Sequence, residues 1–457
     1  MSATVGRTAE VAAEPKKAAA PAQTLSVWDA TMITVGIVIG AGIFQTPALV
    51  ANIAGSPGWM LGAWVLGGLL SFVGALTYAE LATAYPSAGG DYSFLTRAYG
   101  RNVSFLFAWA RSLVIVTGSI ALLGFILGDY LTRLHSLGAY SSAIYAALAT
   151  VLLTAVNIVG LRSSSRLQNV LTILEIGGVL FVAAAGFMLE PSEVAASSSE
   201  GTSVGAFGLA MVFVLLTFGG WNEAAYVSAE VRGGPPAIVK SLLMSIAIIT
   251  LVYIVFVIGV THGLGYEGLK QTEALGVDIV QRAIGETGSQ IIGIFVAIAA
   301  LTSMNSTMLV GARTNYSVAH DWPVFRFMGG WRGERSAPVA GFLVQAAIAL
   351  ALIFFGALEK DGFSTMVEFT APVFWFFFML AGIAVFVLRR KDPNAHRPFR
   401  VPLYPILPGI FVITCAYLFY SSITYAQSQN AAWVALAVMA SGVAVWLVIR
   451  VKPKATR

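Results

Sequence analysis

Two glycine-rich stretches, each in the middle of an apolar run, are the parts of this chain best suited to receiving a solute. The first reads Gly36-Ile37-Val38-Ile39-Gly40-Ala41-Gly42-Ile43-Phe44, and the second Thr217-Phe218-Gly219-Gly220-Trp221-Asn222-Glu223. Glycine inside a helix costs about 1 kcal/mol relative to alanine, so such clustering calls for a cause. One cause is close packing of neighbouring helices. The other is a break in each helix. A broken helix frees amide donors at the start of its second half and carbonyl acceptors at the end of its first half. That pairing suits a zwitterion, with its carboxylate on the amides, favoured by the helix dipole, and its ammonium on the carbonyls.

The ionisable residues inside apolar runs are few. Glu175 lies within one. A charged carboxylate there is expensive, so it marks a functional site by default. It is either a proton-coupling or cation-binding group, or a partner of a nearby Asn, Ser or Arg that fixes helix packing. Glu223 follows the second glycine cluster and either meets a cationic solute group or bonds freed backbone amides. Ser303 and Asn305 are polar at mid-run and either face a site or bond their own helix. Glu368 falls near the outer end of its run, where water is expected. Arg111 either snorkels to the cytoplasm or forms an ion pair with Glu80. The histidines, His135, His262, His320 and His396, fall near run ends or in loops, which indicates no metal site. Lone Cys415 reads as a packing residue. Walker, nucleophile-elbow and HExxH patterns are missing from the sequence. ATP-driven transport, membrane proteolysis and enzymatic activity in general are therefore disfavoured, and no cofactor is implied.

The elements that must position these residues are membrane helices. Of 457 residues, 57% are apolar and 11% charged, whereas soluble domains are about 25% charged. Apolar runs of about 20 residues recur without strand-like alternation, long enough to cross a ~30 Å hydrocarbon core as helices. Twelve spans are expected, at about 27–54, 58–84, 101–133, 139–160, 165–189, 205–230, 237–263, 288–318, 337–357, 363–389, 403–425 and 431–450. Of the 27 Lys and Arg residues, Arg133, Lys270, Arg282 and Lys360 fall on one side and Arg111 inside span 3; all others fall on the side of the two termini. Both termini are thus expected in the cytoplasm of a multi-pass plasma-membrane protein. The net charge of +5 reads as topology signal and lipid anchoring, not a nucleic-acid patch. Residues 1–25 read as a disordered cytoplasmic tail, and 451–457 as a cytoplasmic tail. The outer loop at 190–204 is rich in Glu and Ser, the one at 264–288 is expected to hold a short surface helix, and 85–101 reads as a helix along the inner membrane face.

Spans 1 and 6 are first members of two five-helix sets. Glycine-interrupted spans in matching positions of two halves point to a midplane site between inverted repeats. Several motifs carry a family resemblance. Gly40-Ala41-Gly42-Ile43-Phe44 resembles a signature of the amino acid–polyamine–organocation permeases. Ala82–Gly100 is similar to their first cytoplasmic loop. Gly219-Gly220-Trp221-Asn222, with Tyr226 and Glu230, is similar to helix 6 of their L-type amino acid transporter branch. Arg313–Pro323 resembles the segment after helix 8, and Arg397–Pro405 the linker before helix 11. The resemblance implies an all-α core of inverted repeats over 26–402, with helices 1–5 at about 27–189 and helices 6–10 at about 205–389, plus two extra helices over 403–450. It implies secondary transport of an amino acid or amine by alternating access, as symport with protons, exchange, or sensing by the same fold. It places the substrate carboxylate on the amides of Ala41, Gly42 and Ile43, and the ammonium on carbonyls of Val38, Ile39, Phe218 and Gly219, with Asn222 beside them. Relatives carry a lysine at the position of Glu175, and a bulky aromatic gate at the position of Leu216; Leu216 or Phe218 is the expected gate here.

Overall fold

The computed structural model describes residues 25–87, 89–159, 165–191, 203–228, 231–272, 274–329, 339–359, 361–424 and 429–451. The chain is a helical membrane protein: ten helices among the described residues are long and apolar enough to cross a bilayer, and two shorter apolar stretches, Val27–Val38 and Trp433–Ile449, complete the set. The expected tails at 1–24 and 452–457, most of the loop at 190–204, and Glu230 lie outside the described residues.

Span 1 is built in three pieces: α1 (Val27–Val38), a 3-10 turn (Ala41–Phe44) and α2 (Thr46–Ala54). Its start is fixed by Ser26, whose Oγ accepts from the Asp29 amide while Asp29 accepts from the Ser26 amide, a reciprocal capping box. Then follow α3 (Pro57–Ala84), α4 (Gly90–Tyr99) and span 3, which is α5 (Arg101–Ala110), a π-helical turn (Arg111–Ile115) and α6 (Val116–Leu134). α7 (Ser141–Val159) and α8 (Ser165–Met188) close the first set. Span 6 is again divided: α9 (Val204–Thr217), a 3-10 turn (Trp221–Glu223) and α10 (Ala224–Val227). The rest are α11 (Gly234–Gln271), α12 (Leu275–Ile284), α13 (Glu286–Asp321), α14 (Val339–Ala357), α15 (Gly362–Lys391), α16 (Ile406–Thr424) and α17 (Gln429–Val451).

Two packed groups face each other. α1, α2, α3, α9 and α11 pack among themselves, and α6, α7, α13 and α14 do the same. α8 lies against α1 and α11, and α15 bridges to α6 and α16. The large lipid-facing side chains, Leu152, Ile173, Leu251, Ile294 and Leu447 among them, remain exposed, as expected for helices whose outer solvent is hydrocarbon.

Three local expectations change. α11 runs past residue 263 to Gln271, bending at Gly265, and the short helix expected in the following loop is α12, whose Leu275, Ile279 and Val280 are buried. α4 does not lie free on the membrane face. Its Asp91, Tyr92, Phe94 and Leu95 are buried, and it is clamped by Tyr92 Oη to Asp321 (2.7 Å), Tyr99 Oη to the Leu380 carbonyl (2.7 Å) and Lys391 Nζ to the Ala98 carbonyl (2.8 Å). Glu368 is not in water: it is 4% exposed, because α15 turns that face toward its neighbours.

Candidate substrate site

Both glycine clusters are breaks. α1 ends at Ile39, whose ψ of 68° leaves the helical region, and Gly40 is extended before the chain re-enters a helix at Ala41. α9 ends at Thr217, and Gly220 takes a φ of 108°, a left-handed conformation that favours glycine. Gly40 is required for a second reason. A Cβ there would stand 2.6 Å from Ser303 Oγ. At Gly42, by contrast, an added Cβ would meet nothing nearer than 4.0 Å. Packing therefore does not explain Gly42.

It faces a cavity of about 190 Å³, far above the roughly 10–15 Å³ that one water needs. The cavity lies between the breaks and spans 3, 8 and 10. Val38, Gly40 and Gly42 line it from the first break, and Leu216, Thr217, Gly219, Gly220 and Asn222 from the second. Ser306 and Thr307 of α13 supply hydroxyls, and Phe363, Val367 and Phe374 of α15 an apolar wall. Asp91, Arg111 and Glu223 also line it.

The breaks are held together. Thr46 and Thr217 share a hydroxyl hydrogen bond of 2.7 Å. The Tyr253 hydroxyl of α11, fully buried, points between the ends of α1 and α9, 2.7 Å from the Val38 carbonyl and 3.2 Å from that of Thr217. The Val38 carbonyl also accepts from the Gly40 amide at 2.8 Å, so both of its lone pairs are engaged.

Ile39, Ala41 and Ile43 are buried beside the break, and their side chains pack in the core. Phe218 is buried too. Its ring lies against Trp64 and Tyr253 at centroid distances of 6.1 and 5.1 Å, away from the cavity that Leu216 lines. Ser303 backs Gly40, and Asn305 accepts from Asn157 at 2.7 Å. The lining groups of α13 are instead Ser306 and Thr307, one turn along from Ser303.

Glu175 does not line the cavity; it stands on α8, which packs against α1 and α11. Asn169 bonds Asp29 and Thr172 bonds the Met32 carbonyl. The two helices thus advance in step, which brings Glu175 level with Val35, one turn before the break. It is 4% exposed, and neither carboxyl oxygen has a hydrogen-bond partner among the described residues.

Sequence reasoning missed the charged end of the cavity. Arg111 is neither an anchor nor paired with Glu80. Its Nη2 donates to both Glu223 oxygens at 2.9 Å, its Nε to Thr314 Oγ1 at 3.1 Å, and its guanidinium lies 4.6 Å from the Tyr226 ring centroid. Glu80 is taken by Arg389 at 2.6 Å and Arg397 at 3.6 Å, and accepts from the Val401 amide. Beside Arg111, Asp91 receives Asn222 Nδ2 at 3.3 Å and the Tyr226 hydroxyl at 3.5 Å. Burial pushes the Asp91 carboxyl up to about 6, against the pull of Arg111. The one signal for it was an acidic residue just after the glycine pair that opens α4.

A solute-sized cavity between two broken membrane helices, lined by backbone and hydroxyls, is a binding site of the kind a transporter needs. Comparison with known proteins agrees. Residues 25–449 match the family described as amino acid permease. The human cystine/glutamate transporter is 27% identical over 395 residues, covering 84% of this chain and 77% of its own length. The serine/threonine exchanger SteT of Bacillus subtilis (strain 168) is 25% identical over 385 residues, covering 83% and 86%. The mouse large neutral amino acids transporter small subunit 2 is 26% identical over 427 residues, covering 91% and 78%. The chain belongs to the amino acid permease family, whose members are transporters and not enzymes.

Proposed function

We propose that this permease moves an amino acid or a related amine across the plasma membrane by alternating access, with both termini in the cytoplasm and the transport of solute coupled to protons. The observation that carries this reading is the cavity of about 190 Å³ set against both helix breaks. The substrate carboxylate rests on the amides of Ala41, Gly42 and Ile43, which open a helical segment and are left without intrahelical acceptors. Its ammonium rests on carbonyls of Ile39, Phe218 and Gly219, since Val38 already accepts two donors. Asn222 contributes an amide side chain, and Leu216 is the gate. The packed group of spans 1, 2, 6 and 7, which draws on both inverted repeats, rocks against the other group about this site. Glu175, buried without a partner beside span 1, is the coupling group: a carboxyl in that position takes up a proton from one side and gives it to the other.

Exchange is the second reading, and it is favoured by a relative that is named an exchanger. Proteoliposomes separate the two. A symporter accumulates radiolabelled L-leucine, L-serine or L-lysine under an inward proton gradient, and preloading helps it little. An exchanger is strongly stimulated by preloaded amino acid and indifferent to the gradient. No saturable flux of any amino acid or amine under either condition would end the proposal. A thermal-shift screen of amino acids and amines finds the substrate first, because a ligand that binds the folded state raises its apparent stability by mass action.

A further inference from the structure

We infer that Asp91 is a proton-binding site at the inner end of the cavity, filled while the contact between span 3 and span 6 is closed and emptied when that contact opens. It deepens the transport reading, and it adds a second titrating site, in α4, to the one proposed in α8.

Asp91, Arg111 and Glu223 line one cavity, two carboxylates against one guanidinium. Arg111 is committed to Glu223, Thr314 and the face of Tyr226, and makes no ion pair with Asp91. Asp91 Oδ2 has only the two long contacts from Asn222 and Tyr226. Its Oδ1 is buried and meets no hydrogen-bond geometry among the described residues, the Tyr78 hydroxyl being the neutral group nearby. An ionised Asp91 would thus be an uncompensated buried charge, which a protein avoids by neutralising the group. One proton makes the cluster neutral.

The other groups around Asp91 do not supply that charge. From α3, the buried Tyr78 hydroxyl approaches Asp91 and favours its ionised form, but as a neutral donor it supplies no charge. From the 3-10 turn and α10 come Asn222, Glu223 and Tyr226, of which Glu223 adds repulsion. From α5, Arg101 is bonded to the Asp321 carbonyl. From α15, Arg389 is paired with Glu80 and Lys391 with the Ala98 carbonyl. The pKa of about 6 agrees with this picture.

The direction of coupling follows. In water an aspartate titrates near about 3.9. The closed contact binds the proton more tightly than an opened, hydrated one. Acid therefore favours closure. As pH rises from about 4 to about 6, opening becomes easier by up to about 100-fold, the ratio that a two-unit difference represents. A proton taken up on an acidic outer side would leave when the contact opens to a neutral cytoplasm.

The test reads the carboxyl directly. Infrared difference spectra of the purified full-length protein are recorded from about pH 4.5 to 7.5. The wild type and Glu175→Gln are expected to lose a neutral carboxylic-acid band with a midpoint near about 6, and Asp91→Asn to lack it. No such band in the wild type, or the same band in Asp91→Asn, overturns the inference. If Asp91→Asn does not fold, Asp91→Glu takes its place, and a band that fails to move in frequency overturns it equally. Uptake of L-leucine, L-serine and L-lysine into proteoliposomes is followed alongside. Asp91→Asn is expected to hold one rate across the window in which the wild type changes up to about 100-fold; a wild-type profile in the variant overturns the coupling. If the band titrates through Asp91 while the wild type carries no amino acid or amine, the transport reading fails and the proton site stands.

Discussion

The breaks in spans 1 and 6 look alike in sequence but are built differently. Beyond Gly40 the chain re-enters a helix at once and continues through α2 to Ala54, so past its break span 1 meets the cavity with Gly42, which has no side chain, and with the uncharged Thr46. Beyond Gly220 only a 3-10 turn and the four residues of α10 follow. Their side chains Asn222 and Glu223 line the cavity and bind Asp91 and Arg111. Both breaks border the cavity, and the second also carries the charge that clasps the opposing helix. Similar glycine patterns thus differ in whether an ion pair follows the break.

Four variants would break or sharpen this contrast. The largest effect is expected for Arg111→Ala, which leaves Glu223 without its partner. Removing one member of a buried pair costs about 3–5 kcal/mol, read as lower thermal stability in detergent. The double variant with Glu223→Gln should recover much of it; a single variant as stable as the wild type would mean that span 6 does not depend on the clasp. Next is Gly42→Leu, which fills the cavity where the carboxylate is expected. Uptake should fall at least about 100-fold, about 2.7 kcal/mol, with stability little changed because nothing crowds that position. Retained uptake would remove the backbone site. Tyr253→Phe takes one hydroxyl from between the two breaks and should cost about 1–2 kcal/mol of stability; a variant no less stable would show the breaks held by the Thr46–Thr217 bond alone. The smallest change in stability is expected for Glu175→Gln, which should uncouple uptake from the proton gradient. Accumulation still driven by the gradient would leave Glu175 without a part in coupling.

What the sequence made legible was local. Membrane spans announce themselves through composition over some 20 residues, and the breaks through glycines that a helix interior disfavours. Even the lining of α13 was nearly read: Ser303 lies on the right side, but Ser306 and Thr307, one turn along, reach the cavity. Long-range pairing was not legible. Arg111 meets Glu223 from 112 positions away, and Glu80 meets Arg389 from 309 away. The π-helical turn at Arg111–Ile115 has no compositional mark, yet it opens where Arg111 faces Glu223. Glu368 was misplaced for a related reason. Position along a span gives depth, while burial depends on which neighbour the helix turns toward.

The hydroxyls of Tyr253, Thr46 and Thr217 bind spans 1, 6 and 7 to one another at the level of the breaks. On the proposed reading, a molecule gripped by both breaks travels on a single rigid cradle. Its hold need not loosen as the membrane side changes, because the part that yields, the Arg111–Glu223 clasp, spans a different seam. Hand and door are separate, and a mutation can jam one while sparing the other.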